Sequence, residues 1–149
     1  MSPIILRILI AGVLAFHGVG YAMGIIPALQ IPFFQDQAGA WAKNWSSRSW
    51  LLTPLLGDTA SRIISIILFA VPLIGFAGAA LGVMDWLVPH EWWRPLAIVS
   101  AVISLVALGL FWHAFIYLFP HKVGAIIVNV AVLVGLVGTN WPAEADIGY

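Results

Sequence analysis

Four apolar stretches take up most of this chain and restrict what it can fold into. They cover residues 4–26, 60–84, 96–119 and 123–140 of 149. An α-helix needs about 20 apolar residues to cross a bilayer core, and inside lipid every backbone N–H and C=O must find its partner within the segment. The sequence therefore predicts an all-α membrane protein, a bundle of four transmembrane helices in a single domain over residues 1–149.

Composition narrows the classes of partner and cofactor. Hydrophobic residues make up 62 % of the chain and charged residues 8 %, whereas about 25 % charged is usual for a soluble domain. The six basic and six acidic residues balance, so no excess charge attracts nucleic acid. With no cysteine, the chain cannot form disulfides, thiolate metal sites or iron–sulfur clusters. The lipid bilayer is the partner that the composition indicates.

The only long connection is rich in tryptophan and joins the first two apolar stretches. Trp41 and Trp45 are four residues apart, with Lys43 and Arg48 nearby, and residues four apart share one face of a helix. We predict that residues 36–50 form a short amphipathic helix in the membrane interface, where indole rings are favoured. The alternative is an irregular loop whose tryptophans pack on the bundle.

Small residues recur at a spacing of four along the predicted helices. Gly20 and Gly24 form one such pair, Gly78 and Gly82 another, and the fourth stretch carries a similar row of glycine and alanine. Such rows let two membrane helices approach closely. They are typical of packing within one bundle, and they are also candidate surfaces for a membrane protein partner or for a second copy of the chain.

Polar side chains inside the apolar stretches are candidates for function, because they are costly in lipid and face a bundle interior or a cavity. His17 and His113 both lie about seven residues inside the same end of their segments, or ~10 Å deep at 1.5 Å per residue. Asn129 and Ser65 reach a similar depth when counted from their own segment ends. The sequence predicts one polar layer to which all four helices contribute.

A repeated pattern adds two tyrosines to this layer. Residues 16–21 and 112–117 both read aromatic-His-x-x-x-Tyr, which places a phenol one helical turn from each imidazole. Two parallel helices with histidines at equal depth would ligate haem b from its two faces or hold a quinone head group, and the structural alternative is hydrogen bonding between helices. No catalytic residue and no metal site is predicted, since no Asp or Glu lies within a span. The candidate cofactor-binding residues are His17, Tyr21, Ser65, His113, Tyr117 and Asn129.

The motif Phe16-His17-Gly18 in the first helix and Leu56-Gly57-Asp58 before the second resemble the DoxX-like group of small bacterial membrane proteins. The resemblance implies a four-helix protein of the bacterial inner membrane. It also implies a link to quinone-coupled oxidation of sulfur compounds or to redox homeostasis, with no certain cofactor of its own.

Two functions from different classes remain open at this point. The first is a non-catalytic subunit or scaffold of a membrane complex, which the lack of a complete catalytic motif favours over an enzyme. The second is a DoxX-like, redox-associated protein that binds quinone or haem at the polar layer. The acidic tail from Trp141 onward is predicted to be a solvated end.

Overall fold

The structure is a computed structural model that describes residues 1–30, 45–115 and 117–149. All regular secondary structure in these residues is helical, as predicted. The prediction of four helices long and apolar enough to cross a membrane is confirmed. They span Pro3–Leu29, Leu52–Val83, His90–Leu110 and Leu118–Gly138.

The first apolar stretch folds into two helices that follow each other with little interruption. Helix α1 spans Pro3–Gly20 and helix α2 spans Ala22–Leu29, and Tyr21 between them keeps a right-handed helical backbone. Pro27 lies inside α2 and does not end it. The helix ends at Gln30, which adopts the left-handed conformation (φ 51°) that closes many helices.

Helix α3 spans Leu52–Val83 and is interrupted near its start. Gly57 has φ 83° and ψ 170°, a conformation that residues with a Cβ rarely adopt. The long helix therefore begins again at Asp58, close to the predicted start at residue 60. Pro72 lies within the continuous part of α3.

The third apolar stretch is helical over a shorter range than predicted. A 3₁₀ turn at His90–Trp92 leads into helix α4, Trp93–Leu110, and Phe111 then leaves the helical conformation with ψ 53°. A single 3₁₀ turn follows at Trp112–Ala114. The predicted helical end at residue 119 is wrong. The residues after Leu110 are still mostly apolar, but their backbone is no longer α-helical, and hydropathy does not report that change.

The fourth stretch forms helix α5, Val123–Leu133, flanked on both sides by π-helical turns. Together these turns and α5 cover Leu118–Gly138. Neighbouring helices pack in sequence order: α1 on α3, α3 on α4, and α4 on α5. The backbones of α1 and α5 are not closely packed, so the bundle is open along that side.

Glycines allow the close approaches within this bundle. A Cβ at Gly82 would lie 3.0 Å from Trp93 Cβ at the start of α4, and a Cβ at Gly24 would lie 2.6 Å from the Phe69 ring of α3. Cβ atoms at these positions would collide with the neighbouring helix. Gly24 and Gly82 thus allow helices of the same chain to pack closely. Binding of a partner through rows of small residues stays a prediction.

Residues 36–44 of the predicted interfacial helix lie outside the described residues. The described remainder, residues 45–50, is not helical, so the helix does not extend that far. Trp45 Nε1 donates to Ala114 O at 2.9 Å and Trp50 Nε1 donates to Gly109 O at 2.8 Å. These indoles satisfy carbonyl groups where α4 ends and helix hydrogen bonding stops.

The C-terminal segment, residues 140–149, folds back on the bundle through part of its residues, while the acidic Glu144 and Asp146 stay exposed as predicted. Ile147 is fully buried. Arg7 of α1 donates to Ile147 O at 2.5 Å and to Gly148 O at 3.0 Å, and its guanidinium lies 3.9 Å from the centre of the Tyr149 ring. The first helix is therefore tied to the end of the chain.

Glu144 joins the same segment to the turn before α4. Its carboxylate accepts hydrogen bonds from His90 Nε2 at 2.7 Å and from Arg94 Nε at 2.9 Å. Partial burial opposes ionisation of this carboxyl group, but the hydrogen bonds and charges of His90 and Arg94 outweigh it and lower the pKa of Glu144. The ionised form thus holds the segment in place.

We expect this carboxylate to make stability depend on pH in the acid range. A pKa lowered by folding contributes stability that is fully present above the usual value of 4.5 and is lost as the pH falls through the lower folded value. Melting temperatures in detergent should fall over that window for the wild type, with a smaller fall for Glu144→Gln. Glu91→Gln, at an exposed carboxylate of the same end, is the control and should follow the wild type. Identical pH profiles for Glu144→Gln and wild type would contradict the assignment.

Candidate functional site

A buried cluster of four polar side chains links three helices in the apolar interior. We call His17, Tyr21, Ser104 and Asn129 the polar cluster. His17 lies on α1, Tyr21 at the junction of α1 and α2, Ser104 on α4 and Asn129 on α5. Tyr21, Ser104 and Asn129 are at most 1 % exposed, and His17 is half-buried.

Asn129 is the centre of this cluster. Its Oδ1 lies 3.0 Å from His17 Nε2, and its Nδ2 donates to Tyr21 Oη at 2.7 Å and to Ser104 Oγ at 2.5 Å. Tyr21 Oη is also 3.0 Å from His17 Nε2 and contacts Ser104 Oγ. Each polar group of the cluster therefore has a hydrogen-bond partner, as buried polar groups in proteins usually do.

Aromatic rings from α3 and from the segment after α4 surround the cluster. The Phe76 ring is 4.9 Å from the His17 ring in an edge-on arrangement, and Phe69 stacks on Tyr21 with centroids 6.3 Å apart. Phe115 contacts Tyr21 edge-on at 6.0 Å. These rings hold the imidazole and phenol in place. A low-polarity surrounding also strengthens the hydrogen bonds between them.

The structure brings together three of the six predicted residues: His17, Tyr21 and Asn129. Ser65 is fully buried, but its Oγ has no hydrogen-bond partner among the described residues. His113 is exposed, in the 3₁₀ turn beyond α4, and Tyr117 is 46 % exposed. The prediction that His113 belongs to a single polar layer, with one group from each helix, is therefore wrong.

The reason is the early end of α4. Depth counting assumed a helix to residue 119, whereas the chain leaves the helix at Phe111 and turns His113 outward. The two histidines do not stand on parallel helices at one depth, so this geometry gives no support to haem held by His17 and His113. Ser104 supplies the group from α4 instead, and an isolated serine in an apolar helix carries little signal in the sequence.

Among the described residues, no three His, Asp or Glu side chains come close enough to hold a metal ion. The cluster offers neutral hydrogen-bonding groups only. The chemistry available to it is therefore hydrogen bonding, and the imidazole of His17 is the one member that is not fully buried.

An apolar groove runs along the open side of the bundle, between α1 and α5, and has a volume of about 440 Å³. We call it the α1/α5 groove. One end is bounded by Trp93, Trp141 and Pro142, and the other reaches Val13 and Val128. His17 lies one helical turn beyond Val13 and Asn129 directly follows Val128, so the polar cluster adjoins the inner end. The other lining residues are Met1, Leu6, Leu9, Ile10, Leu14, Ile127, Ala131, Val132, Gly135 and Leu136.

No protein-family model matches this chain, and neither curated proteins nor solved structures show a significant match to it.

Two buried serines provide a matched test of the polar cluster. Ser104→Ala should lower the free energy of unfolding by about 1–3 kcal/mol, because it leaves an Asn129 N–H buried without its acceptor. Ser65→Ala, at an equally buried serine whose Oγ has no described partner, should cause no loss. Unfolding of the purified protein in detergent micelles measures both. Equal losses would show that the cluster contributes nothing specific.

Proposed function

We propose that this protein is a multi-pass integral membrane protein that binds a lipophilic molecule through His17 and the α1/α5 groove. The polar head group of the ligand lies at His17, and its hydrocarbon tail lies in the groove. The carrying observation is that the groove is lined by Val13 and Val128, one helical turn before the half-buried His17 and directly before the buried Asn129 to which it bonds. Membrane insertion itself is supported by the four apolar helices.

The size and lining of the groove fit a tail. Its volume of about 440 Å³ falls in the range of about 300–1,000 Å³ of small-molecule sites. All its lining side chains are apolar or glycine except for the indole N–H groups of Trp93 and Trp141, and the set includes Met1 at the start of the chain. A hydrocarbon chain buried there loses no hydrogen bond, and Ala131 and Gly135 leave space that larger side chains would fill.

A quinone or quinol is the ligand class that the two parts of the site favour together. Such molecules combine a ring that bears oxygen atoms with a long apolar tail, and His17 supplies the hydrogen-bonding group nearest the groove. The resemblance to the DoxX-like group, carried in part by His17 and Gly18, implies the same class and a bacterial inner-membrane location. The protein acts here as a binding module, with no bond made or broken in the ligand.

Filling the groove tests this proposal. Ala131→Phe should weaken binding of a decyl-benzoquinone by about tenfold or more, equivalent to about 1.4 kcal/mol, because the ring occupies the space of the tail. Val130→Phe, on the next residue but 45 % exposed and outside the groove, should bind like wild type. Equilibrium binding to the full chain in lipid nanodiscs measures both. Equal affinities for the two variants would refute the groove as the tail site.

A second candidate is the non-catalytic subunit or scaffold, and the outer face of α1 favours it. A Cβ at Gly12 or at Gly20 would have no heavy atom within 4 Å, in contrast to Gly24. These two glycines are eight residues apart, on one face, and leave room for a helix of another protein to approach. In that case Gly12→Leu with Gly20→Leu should release a co-purified membrane partner, while Gly109→Leu, at another open glycine, should not.

A further inference from the structure

The two ring nitrogens of His17 have different environments. Nε2 faces the polar cluster, with Asn129 Oδ1 and Tyr21 Oη both at 3.0 Å. Nδ1 makes no hydrogen bond to any residue that the structure describes. A neutral imidazole carries its proton on one nitrogen and a lone pair on the other. The nitrogen that holds the proton therefore decides what the free side of the ring can bind.

The amide of Asn129 decides the position of that proton. A side-chain amide has two N–H donors, and Asn129 is fully buried, so both need acceptors. With Nδ2 toward Tyr21 Oη and Ser104 Oγ, both are satisfied. If the amide were flipped, His17 Nε2 would be the one acceptor in the cluster near Nδ2. One of the two buried N–H groups would then have no acceptor.

The amide oxygen consequently faces His17 Nε2, and an oxygen without hydrogen can only accept. Nε2 must therefore carry the proton, which it donates to Asn129 Oδ1, with Tyr21 Oη also within reach. Nδ1 is left with its lone pair. The polar cluster thus fixes the tautomer of a ring whose other nitrogen has no hydrogen bond among the described residues, as a hydrogen bond on one nitrogen commonly does for histidine.

We propose that His17 Nδ1 accepts a hydrogen bond from a hydroxyl group of the ligand, so that the site prefers a hydroxylated lipophile over its carbonyl counterpart. This inference rests on the proposed function. For the quinone class it means that the reduced hydroquinone binds more tightly than the quinone, whose oxygens only accept. No proton or electron is transferred in this binding step.

The position of His17 on α1 agrees with such a ligand. Leu6, Ile10 and Val13 line the groove, and His17 follows Val13 at the spacing of four that keeps a residue on the same face of the helix. A ligand whose tail runs along Leu6 to Val13 has its ring beside the imidazole. The rise of 1.5 Å per residue makes this stretch of the groove wall ~10 Å long.

The first test measures the tautomer without any ligand. Nitrogen-15 NMR of histidine-labelled protein in lipid should show His17 with Nε2 protonated and Nδ1 unprotonated, the signal being assigned by its loss in His17→Gln. Protonated Nδ1 would overturn the inference. Asn129→Leu removes the amide oxygen and should return the ring toward a mixture of tautomers.

The second test compares a decyl-hydroquinone with the matching decyl-benzoquinone, without oxygen, on the full chain in nanodiscs. We expect about tenfold tighter binding of the hydroquinone to wild type, a step of about 1.4 kcal/mol, and little preference in Asn129→Leu. Because the main comparison uses wild type, it stands even if that variant does not fold.

The outcomes separate the two proposals. Equal affinities, or tighter binding of the benzoquinone, overturn the hydroxyl preference, while the groove proposal stands if Ala131→Phe weakens both probes. If neither probe binds more than to empty nanodiscs, the proposed function fails and the preference fails with it.

Discussion

The amide of Asn129 is the interaction on which the rest of this structure depends. It is fully buried in an apolar interior on the fourth long helix and bonds to side chains from the first and the third. In lipid, helices have little hydrophobic reason to associate, and packing and hydrogen bonds between helices must do it. One amide with three satisfied partners fixes the relative depth of three helices. It also sets the orientation of the imidazole at the candidate site, so fold and site share one cause.

The sequence predicts the helices better than their contacts. Hydropathy identifies four apolar helices because their length and composition leave no other structure in lipid. It cannot locate the end of α4, since Phe111 and the residues after it remain apolar while the backbone leaves the helix. Depth counting therefore finds His17 and Asn129, which lie on helices that keep their register, and the His-x-x-x-Tyr pattern adds Tyr21. It misplaces His113, and it misses Ser104 because a hydroxyl group is too common in membrane helices to stand out.

The sequence pattern also does not predict the polar contacts of the C-terminal segment. Arg7 and Glu144 are 137 positions apart in a 149-residue chain, yet Arg7, His90, Arg94 and Glu144 all engage the C-terminal segment or belong to it. Contacts between such distant residues depend on where each helix ends and on the turn that follows. Charge alone indicates only that these residues lie outside the apolar core, and the acidic tail therefore appeared solvated.

The groove follows from how the chain closes its bundle. Packing in the order α1, α3, α4, α5 leaves α1 and α5 as the two edges. Among the residues that the structure describes, polar contacts bring these edges together at two levels. One is His17 with Asn129. The other is Arg7 with the C-terminal segment that continues from α5. Between these levels the edges carry aliphatic side chains and the small Ala131 and Gly135, which cannot fill the gap. A closed bundle would need larger residues there, so the spacing of the two polar contacts makes the groove part of the architecture, and its α1 wall ends at Val13, one helical turn before His17.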